Sequence, residues 1–287
     1  MDVPLLATPI RPPTRLARAI ELIEAQSAYS QHQCAPPAES RRLGLRAERI
    51  GSMSLILTRK STNLLYNKLS GLGQAAPATQ RQLDRAIELA RAERVAALGV
   101  PMGSAARPTR VRNWLAKRGF ELGRPGGKLW RDGSPLLRDA GSPGVSVRRV
   151  EASEASVWVD VIAQVWRTFG FRRPWFEARV VEPGWRHYLA WIDDQPVGAG
   201  AMFVGRVGAT PVGHLTDGAT LRVWRRKGVQ SAIIRKRVAD GLALGCAAFT
   251  AETAPPLPRA PLVSFRNLCR RGFALAYLRE SWRLALD

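Results

Sequence analysis

Apolar side chains in the first hundred residues return at helical spacing, interrupted by one β-like run. Over residues 15–31, Leu16, Ala19, Ile20 and Ile23 recur at helical intervals and predict a helix with one buried face. Residues 52–58 (SMSLILT) predict a strand. Residues 79–98 predict a second amphipathic helix, with Thr79 as N-cap and Gly99 as its stop. A short helix at 109–118 ends at Gly119, and Phe120 begins an extended piece. Residues 132–146 (DGSPLLRDAGSPGVS) are rich in Gly, Ser, Pro and Asp and read as a linker.

Past the linker the pattern tightens. A helix is predicted at 153–169, a strand at 186–192, a turn at 193–196 and a second strand at 197–204. A third strand at 212–221 completes an antiparallel meander, followed by a long helix at 229–244 that Gly245 stops. A strand at 247–253 leads through a Pro-rich loop to a helix at 264–271 and a closing strand at 275–284. Strands that pair antiparallel and are then joined through a helix to a parallel neighbour imply a mixed sheet of the α/β class. The expected division is 1–135 and 146–287, each long enough to bury its own core.

Composition narrows the function classes. With 46% apolar and 23% charged residues among 287, the chain is neither disordered nor fibrous. Cys34, Cys246 and Cys269 form no C-x-x-C pair, and with only His32, His187 and His214 a zinc finger is excluded and no metal is expected. No apolar run reaches membrane-spanning length, and the start MDVPLLATPIRPP lacks the basic-then-apolar order of a secretory signal, so a cytoplasmic protein is expected. The net charge is +21, and only 6 of the 44 basic residues are lysine. Residues 1–145 carry 23 basic and 11 acidic side chains, so the excess is spread through the chain and is not a tail. Such a field suits a polyanionic partner, and equally an Arg-rich composition set by a GC-rich genome.

The segment with chemistry is Leu221-Arg222-Val223-Trp224-Arg225-Arg226-Lys227-Gly228-Val229-Gln230-Ser231-Ala232. A strand ends, a basic loop with one glycine follows, and a helix starts. Backbone N–H groups at such a helix start converge on one point, and the helix dipole adds positive potential, which makes an anion cradle. Neither G-x-x-x-x-G-K-[ST] nor G-x-G-x-x-G is present. Arg225-x-x-Gly228-x-Gln230 resembles the acetyl-CoA pyrophosphate loop of the GNAT N-acetyltransferase superfamily, R/Q-x-x-G-x-G/A, with Gln230 in place of the usual Gly or Ala. Residues 264–273 (SFRNLCRRGF) resemble the family's N-x-x-x-x-G-F segment at the expected distance. The resemblance covers about residues 146–287.

The resemblance implies that the amides from Arg226 through Lys227, Gly228, Val229 and Gln230 to Ser231 hold the pyrophosphate. It implies that the main chain at Thr220–Leu221 pairs with the pantetheine arm, and that Asn267 hydrogen-bonds it. Arg225, Arg226 and Lys227 also suit the 3′-phosphate. Acyl transfer to an amine needs a base for the ammonium and an acid for the departing thiolate. The Tyr that many relatives use as acid is Leu268 here, and Tyr277 is the substitute by proximity in sequence. Glu252, at a strand end, is the first candidate base and Asp217 the second, although either carboxylate equally suits a plain hydrogen-bonding role. His187 and His214 on strands, and Trp166, Trp175 and Trp185, read first as structural, with pocket roles as the alternative. Cys246 reads as a small buried apolar group.

The halves share an ending. Residues 112–120 (RNWLAKRGF) parallel 265–273 (FRNLCRRGF), with the Gly-Phe pairs 153 positions apart. Matching Gly99-Val100 to Gly245-Cys246 gives a second spacing of 146, which puts Gln82 opposite Gly228 and Thr79 opposite Arg225. Trp114 stands opposite Asn267. The first half then reads as a degenerate copy without a cofactor loop, and two unrelated α/β units remain the alternative. The expected fold is a tandem GNAT-like fold, two similar domains each with a mixed, mostly antiparallel sheet flanked by helices. The expected activity is N-acyl transfer, foremost of acetyl from acetyl-CoA to a primary amine on a small molecule or peptide. The alternatives are a tRNA-dependent aminoacyl transferase of the same fold and a non-catalytic CoA- or nucleic-acid-binding regulator. Nucleic acid is the less favoured partner, and oligomeric state is unread.

Overall fold

The computed structural model describes residues 7–103, 109–137, 141–166, 172–258 and 262–286. In the first half α1 (Thr14–Gln33), α2 (Pro37–Leu43), β1 (Leu45–Ile50), β2 (Met53–Thr58) and β3 (Lys68–Ser70) are followed by α3 (Gln80–Ala92), β4 (Ala97–Met102), α4 (Thr109–Lys117), β5 (Glu121–Leu122) and β6 (Gly126–Asp132). The second half runs β7 (Ser146–Arg149), α5 (Ala155–Val165), α6 (Arg173–Ala178), β8 (Trp185–Ile192), β9 (Gln195–Val207), β10 (Thr210–Thr220), α7 (Val229–Ala243), β11 (Ala248–Thr253), α8 (Val263–Cys269) and β12 (Ala274–Ala285). The expected meander, the parallel β10–β11 pair joined through α7, and the mixed sheet flanked by helices are all present.

Some expectations fail locally. The helix expected at 79–98 ends at Ala92, because Arg94 turns left-handed (φ 54°) and Val95 N–H closes onto the Ala90 carbonyl. Gly99 is therefore not a helix stop but lies inside β4. The same closure recurs at Gly245 (φ 76°), where Cys246 N–H reaches the Gly241 carbonyl. Arg94-Val95 thus stands opposite Gly245-Cys246, a spacing of 151 in place of 146. The helix N-caps then set Thr79, and not Gln82, opposite Gly228. Positions 167–169 of the helix expected at 153–169 lie outside the described residues.

The sheets of the two halves are joined. Strand order is β1-β2-β3-β4-β12-β6-β11-β10-β9-β8-β7, with β5 beside β12. Read from the centre outwards, β12 and β6, β4 and β11, β3 and β10, β2 and β9, and β1 and β8 are equivalent places, and β3–β4 and β10–β11 are the two parallel pairs. β6 lies between β11 and the first part of β12, while the second part of β12 pairs with β4. Gly127–Asp132 on β11 and Glu280–Ala285 on β4 keep the 153 spacing of the Gly-Phe pairs. Each half gives its last strand to the other. α1 lies across strands of both halves, with Ile20 and Ile23 wholly buried at about 2 kcal/mol each.

Candidate active site

β10 and β11 pair only from Val212 to His214 opposite Ala248 to Thr250. Beyond that register β10 continues to Thr220 and β11 to Thr253, so the sheet opens between them. Within the opening β10 carries a bulge. Thr216 faces Ala201 and Ala219 faces Ala199, so one extra residue is accommodated, and Asp217 takes a left-handed φ of 52°.

The basic loop leaves β10 at the mouth of this opening. A single turn over Arg222–Trp224 precedes Arg225, Arg226 (φ 68°), Lys227 and Gly228 (φ 77°), and α7 begins at Val229. No side chain among the described residues caps the first turn of α7. Its leading N–H groups, the helix dipole and the exposed Arg225, Arg226 and Lys227 together favour an anion there. Gly228 has a protein reason as well as a ligand reason. A Cβ on it would stand 2.6 Å from the Ser142 hydroxyl, which donates to the Gly228 carbonyl at 3.1 Å. Ser142-Pro143-Gly144-Val145 is a tight turn closed from Val145 N–H to the Ser142 carbonyl, so part of the linker seats against the loop.

Gln230, the departure from the family pattern, ties α7 to α8. Its amide nitrogen donates to Ser264 Oγ (3.0 Å), and its oxygen accepts from Asn267 Nδ2 (2.6 Å). Asn267 Oδ1 accepts from Arg270, so the side chain expected to meet the pantetheine arm has protein partners on both atoms. Leu221 N–H donates to Val197 and its carbonyl accepts from Trp224 N–H. Thr220, one residue back, buries a hydroxyl with no partner among the described residues.

The three candidate catalytic groups are not brought together on the opening. Glu252 leans across Gly126 of β6 to Arg279 of β12, with which it forms a close ion pair. Arg279 also binds Glu24 (2.6 and 2.9 Å) and Glu21 (3.3 Å) of α1, while Glu24 takes Lys128 (2.7 Å) and Lys68 (3.1 Å). Three carboxylates thus meet three cations in a buried cluster between the halves. Burial raises the Glu24 carboxyl, but Arg279, Lys128 and Lys68 outweigh it and hold it well below the usual range. Glu252 goes the other way, pushed up by loss of water despite Arg279. It is one-third exposed, and a cleft of about 130 Å³ lined by Asn63, Leu64, Lys68, Pro101 and Arg279 reaches it. Tyr277 donates to Glu21 (2.7 Å) in the same cluster, and burial raises its phenol far above the ordinary value. Asp217 accepts from Arg179 (2.5 Å) at the bulge in β10, the strand next to the β11 that carries Glu252.

The remaining candidates take structural places. His187 is deeply buried and His214 partly so, and loss of water lowers both imidazoles, His214 to about 3. Trp175 and Trp185 are core, Trp166 is half exposed, and Cys246 is buried with its thiol pushed up to about 11. In the first half the helix start equivalent to Gly228 is closed by its own side chains. Thr79 Oγ1 accepts from Gln82 N–H, and Gln82 accepts from Thr79 N–H, which uses the donors an anion would need. No cluster of His, Cys, Asp or Glu able to hold a metal occurs among the described residues. None of their helices is long and apolar enough to cross a membrane.

Residues 153–273 match the acetyltransferase (GNAT) family. This stretch is a GNAT-family domain. It contains the opening, the basic loop and α8. No curated protein matches the sequence. Among solved structures, the chain is similar to a GCN5-related N-acetyltransferase from Kribbella flavida (17% identity, 92% of this chain and 95% of that one, TM-score 0.58). It is also similar to a tandem GNAT protein from the clavulanic acid biosynthesis pathway (13%, 99% and 98%, TM-score 0.59). A third is a GCN5-related N-acetyltransferase from Sphaerobacter thermophilus (15%, 96% and 94%, TM-score 0.55). At these identities the likeness is one of fold. The GNAT fold, in a tandem arrangement, is thus established for the chain.

Proposed function

We propose that the protein is an acyl-CoA-dependent N-acyltransferase that moves acetyl from acetyl-CoA to a primary amine. The observation that carries this reading is the uncapped, basic start of α7 at the mouth of the β10–β11 opening. A phosphate-bearing thioester fits both parts, its anion on the helix start and its arm in the opening. Bound there, acetyl-CoA supplies an activated acyl group. The amides of residues 226–231 and the side chains of Arg225, Arg226 and Lys227 hold the pyrophosphate and 3′-phosphate. Thr220 offers its unpartnered hydroxyl to the arm. Asn267 reaches the arm by exchanging its Gln230 contact.

The amine enters through the cleft between the halves that ends on Glu252. Glu252 takes the ammonium proton, and its raised pKa brings it nearer the range in which a carboxylate exchanges protons at neutral pH. Tyr277 can protonate the thiolate only by leaving Glu21, which holds its proton. Asp217 is the weaker candidate base because Arg179 holds it at the bulge, outside the lining of the cleft that reaches Glu252. The first half carries no second acyl-CoA site, since Thr79 and Gln82 close its helix start.

Calorimetric titration with acetyl-CoA is expected to show one site per chain, and Gly228→Trp to abolish it by filling the cradle and displacing Ser142. Release of free thiol with a panel of primary amines then finds the acceptor class. No heat and no thermal shift with wild-type protein would defeat the reading.

A further inference from the structure

The cleft that reaches Glu252 crosses five neighbouring strands, β3, β4, β12, β6 and β11, so both halves line it. By strand order Lys68 of β3 lies on one flank and Glu252 of β11 on the other, with Pro101 of β4 and Arg279 of β12 between them. Two glycines keep its floor low. A Cβ on Gly126 would collide with Glu252 Oε1, and one on Gly99 would stand 3.3 Å from Leu64 Cβ. The loop ahead of β3 supplies a wall through Leu64 and the largely exposed Leu65. That loop is held in place. Asn63 Oδ1 accepts from Leu65 N–H (2.9 Å), and Asn67 donates to the carbonyls of Thr58 (3.3 Å) and Ser61 (2.6 Å).

Lys68 has bonding capacity left over. Its ammonium carries three N–H donors, and its one bond among the described residues is to Glu24 Oε1 (3.1 Å). The same oxygen accepts from Arg279 (2.9 Å), and Arg279 in turn holds Glu252. Two bridging groups therefore separate Lys68 from Glu252, a span that a short molecule with a charge at each end can close. The fold does not itself require a cation at this place. Lys68 is the residue at which β3 meets β4 in register, and the last such residue of β10 on β11 is His214, neutral at pH 7.

Charge points the same way. The cluster sets three carboxylates against three cations, so a bare ammonium entering the cleft would meet Lys68 and Arg279 with no anion of its own. Once Glu252 has taken a proton, two carboxylates face three cations, and a substrate carboxylate beside Lys68 restores the balance. The volume of about 130 Å³ is well below the roughly 300–1,000 Å³ of sites for drug-sized ligands. Leu64, Leu65 and Pro101 leave one side of it apolar.

We propose that the acceptor is a small amino acid, with its carboxylate on Lys68, its nitrogen at Glu252 and its side chain against Leu64, Leu65 and Pro101. The C–N bond forms as the C–S bond of the thioester breaks. Of the two protons the nitrogen gives up, one goes to Glu252 and one ends on the CoA sulfur. The proposal rests on the acyl-CoA reading above and gives the first half, through Lys68, the choice of acceptor.

The test is thiol release from acetyl-CoA with matched pairs that differ only in the carboxylate: alanine with ethylamine, valine with 2-methylpropylamine and leucine with 3-methylbutylamine. The amide of each amino acid is run beside them. At least one amino acid is expected to exceed both its decarboxylated partner and its amide by roughly 10–100-fold in kcat/KM, the worth of a hydrogen bond to a charged group. Lys68→Met is expected to erase that preference, chiefly through KM. A lysine that served the fold alone would slow both members of a pair alike, and that result overturns the proposal. The wild-type pairs decide it if Lys68→Met does not fold: no amino acid outpacing its decarboxylated partner, or no turnover of any amine by protein that binds acetyl-CoA, overturns it and leaves the acyl-CoA site standing. Failure of the wild type to bind acetyl-CoA overturns both.

Discussion

Glu252 is legible as an acid at a strand end, but its surroundings are not. Its ion partner Arg279, and the Glu21, Glu24, Lys68 and Lys128 that complete the cluster, come from four other elements. A lysine in mid-strand reads as exposed, yet Lys128 is fully buried because Glu24 of α1 reaches it. Glu21 and Glu24 stand three apart beside the Ile20–Ile23 stripe, and that was the one signal in the sequence. Glu252→Gln is expected to lower turnover by roughly 10²-fold with little change in acetyl-CoA affinity, since Arg279 keeps Glu21 and Glu24. Raising the pH should restore part of the rate by supplying free amine; full activity at pH 7 would move the base elsewhere. All three imidazoles are lowered by loss of water and weaken the fold in acid, His187 as well as His32 and His214. His32 donates to the Ala28 carbonyl and accepts from Thr58, His214 bonds Ser27, and burial lowers each to about 3. Between about pH 6.5 and 3 the unfolded chain binds protons that the fold refuses, so stability is lost as pH falls through that window. From pH 6.5 to 4.5 this amounts to roughly 2–3 kcal/mol per ring. Glu252 works in the opposite sense, because its raised value favours the fold below the ordinary carboxylate range. Thermal melts from pH 7 to 4.5 should fall steeply, and less so for His32→Gln; equal slopes would contradict the assignment.

At the scale of elements, helices with one apolar face and strands bounded by glycine were readable, and in the second half so were α5, α7, α8 and the strands β8 to β12, whereas β7 and α6 were not. What was missed has local physical causes. α3 stops at Ala92 although apolar spacing continues, because Arg94 accepts a left-handed φ that its sequence does not advertise. β1 (LRAERI) is charged because it packs at the end of the sheet with its side chains partly in water. β6 (GGKLWRD) has glycines where Glu252 crosses it and a lysine where α1 pairs with it, so neither alternation nor composition marks a strand. The cofactor loop was legible, yet Gly228 answers to Ser142 as well as to any ligand, and Gln230 proved to be the tie to α8.

At the scale of the molecule, the linker at 132–146 suggests two separable units, whereas the sheet interlocks them. A piece covering 1–137 would lack the β12 residues that pair with β4, and a piece covering 141–287 would lack β6 between β11 and β12. Each is expected to melt without cooperativity when made alone, while the two made together should co-purify and regain a single transition. A cooperative melt of either piece by itself would contradict the interlock. The exchange also orders events during synthesis. β6 leaves the ribosome about 120 residues before the end of the β11 strand it pairs with, and β4 waits longer still for the far end of β12. At translation speeds of roughly 5–20 residues per second, two strands spend of order ten seconds with bare edges. Lys128 stands in β6 over that interval, a charge that keeps the waiting edge from joining a neighbouring chain until Glu24 and β11 close around it.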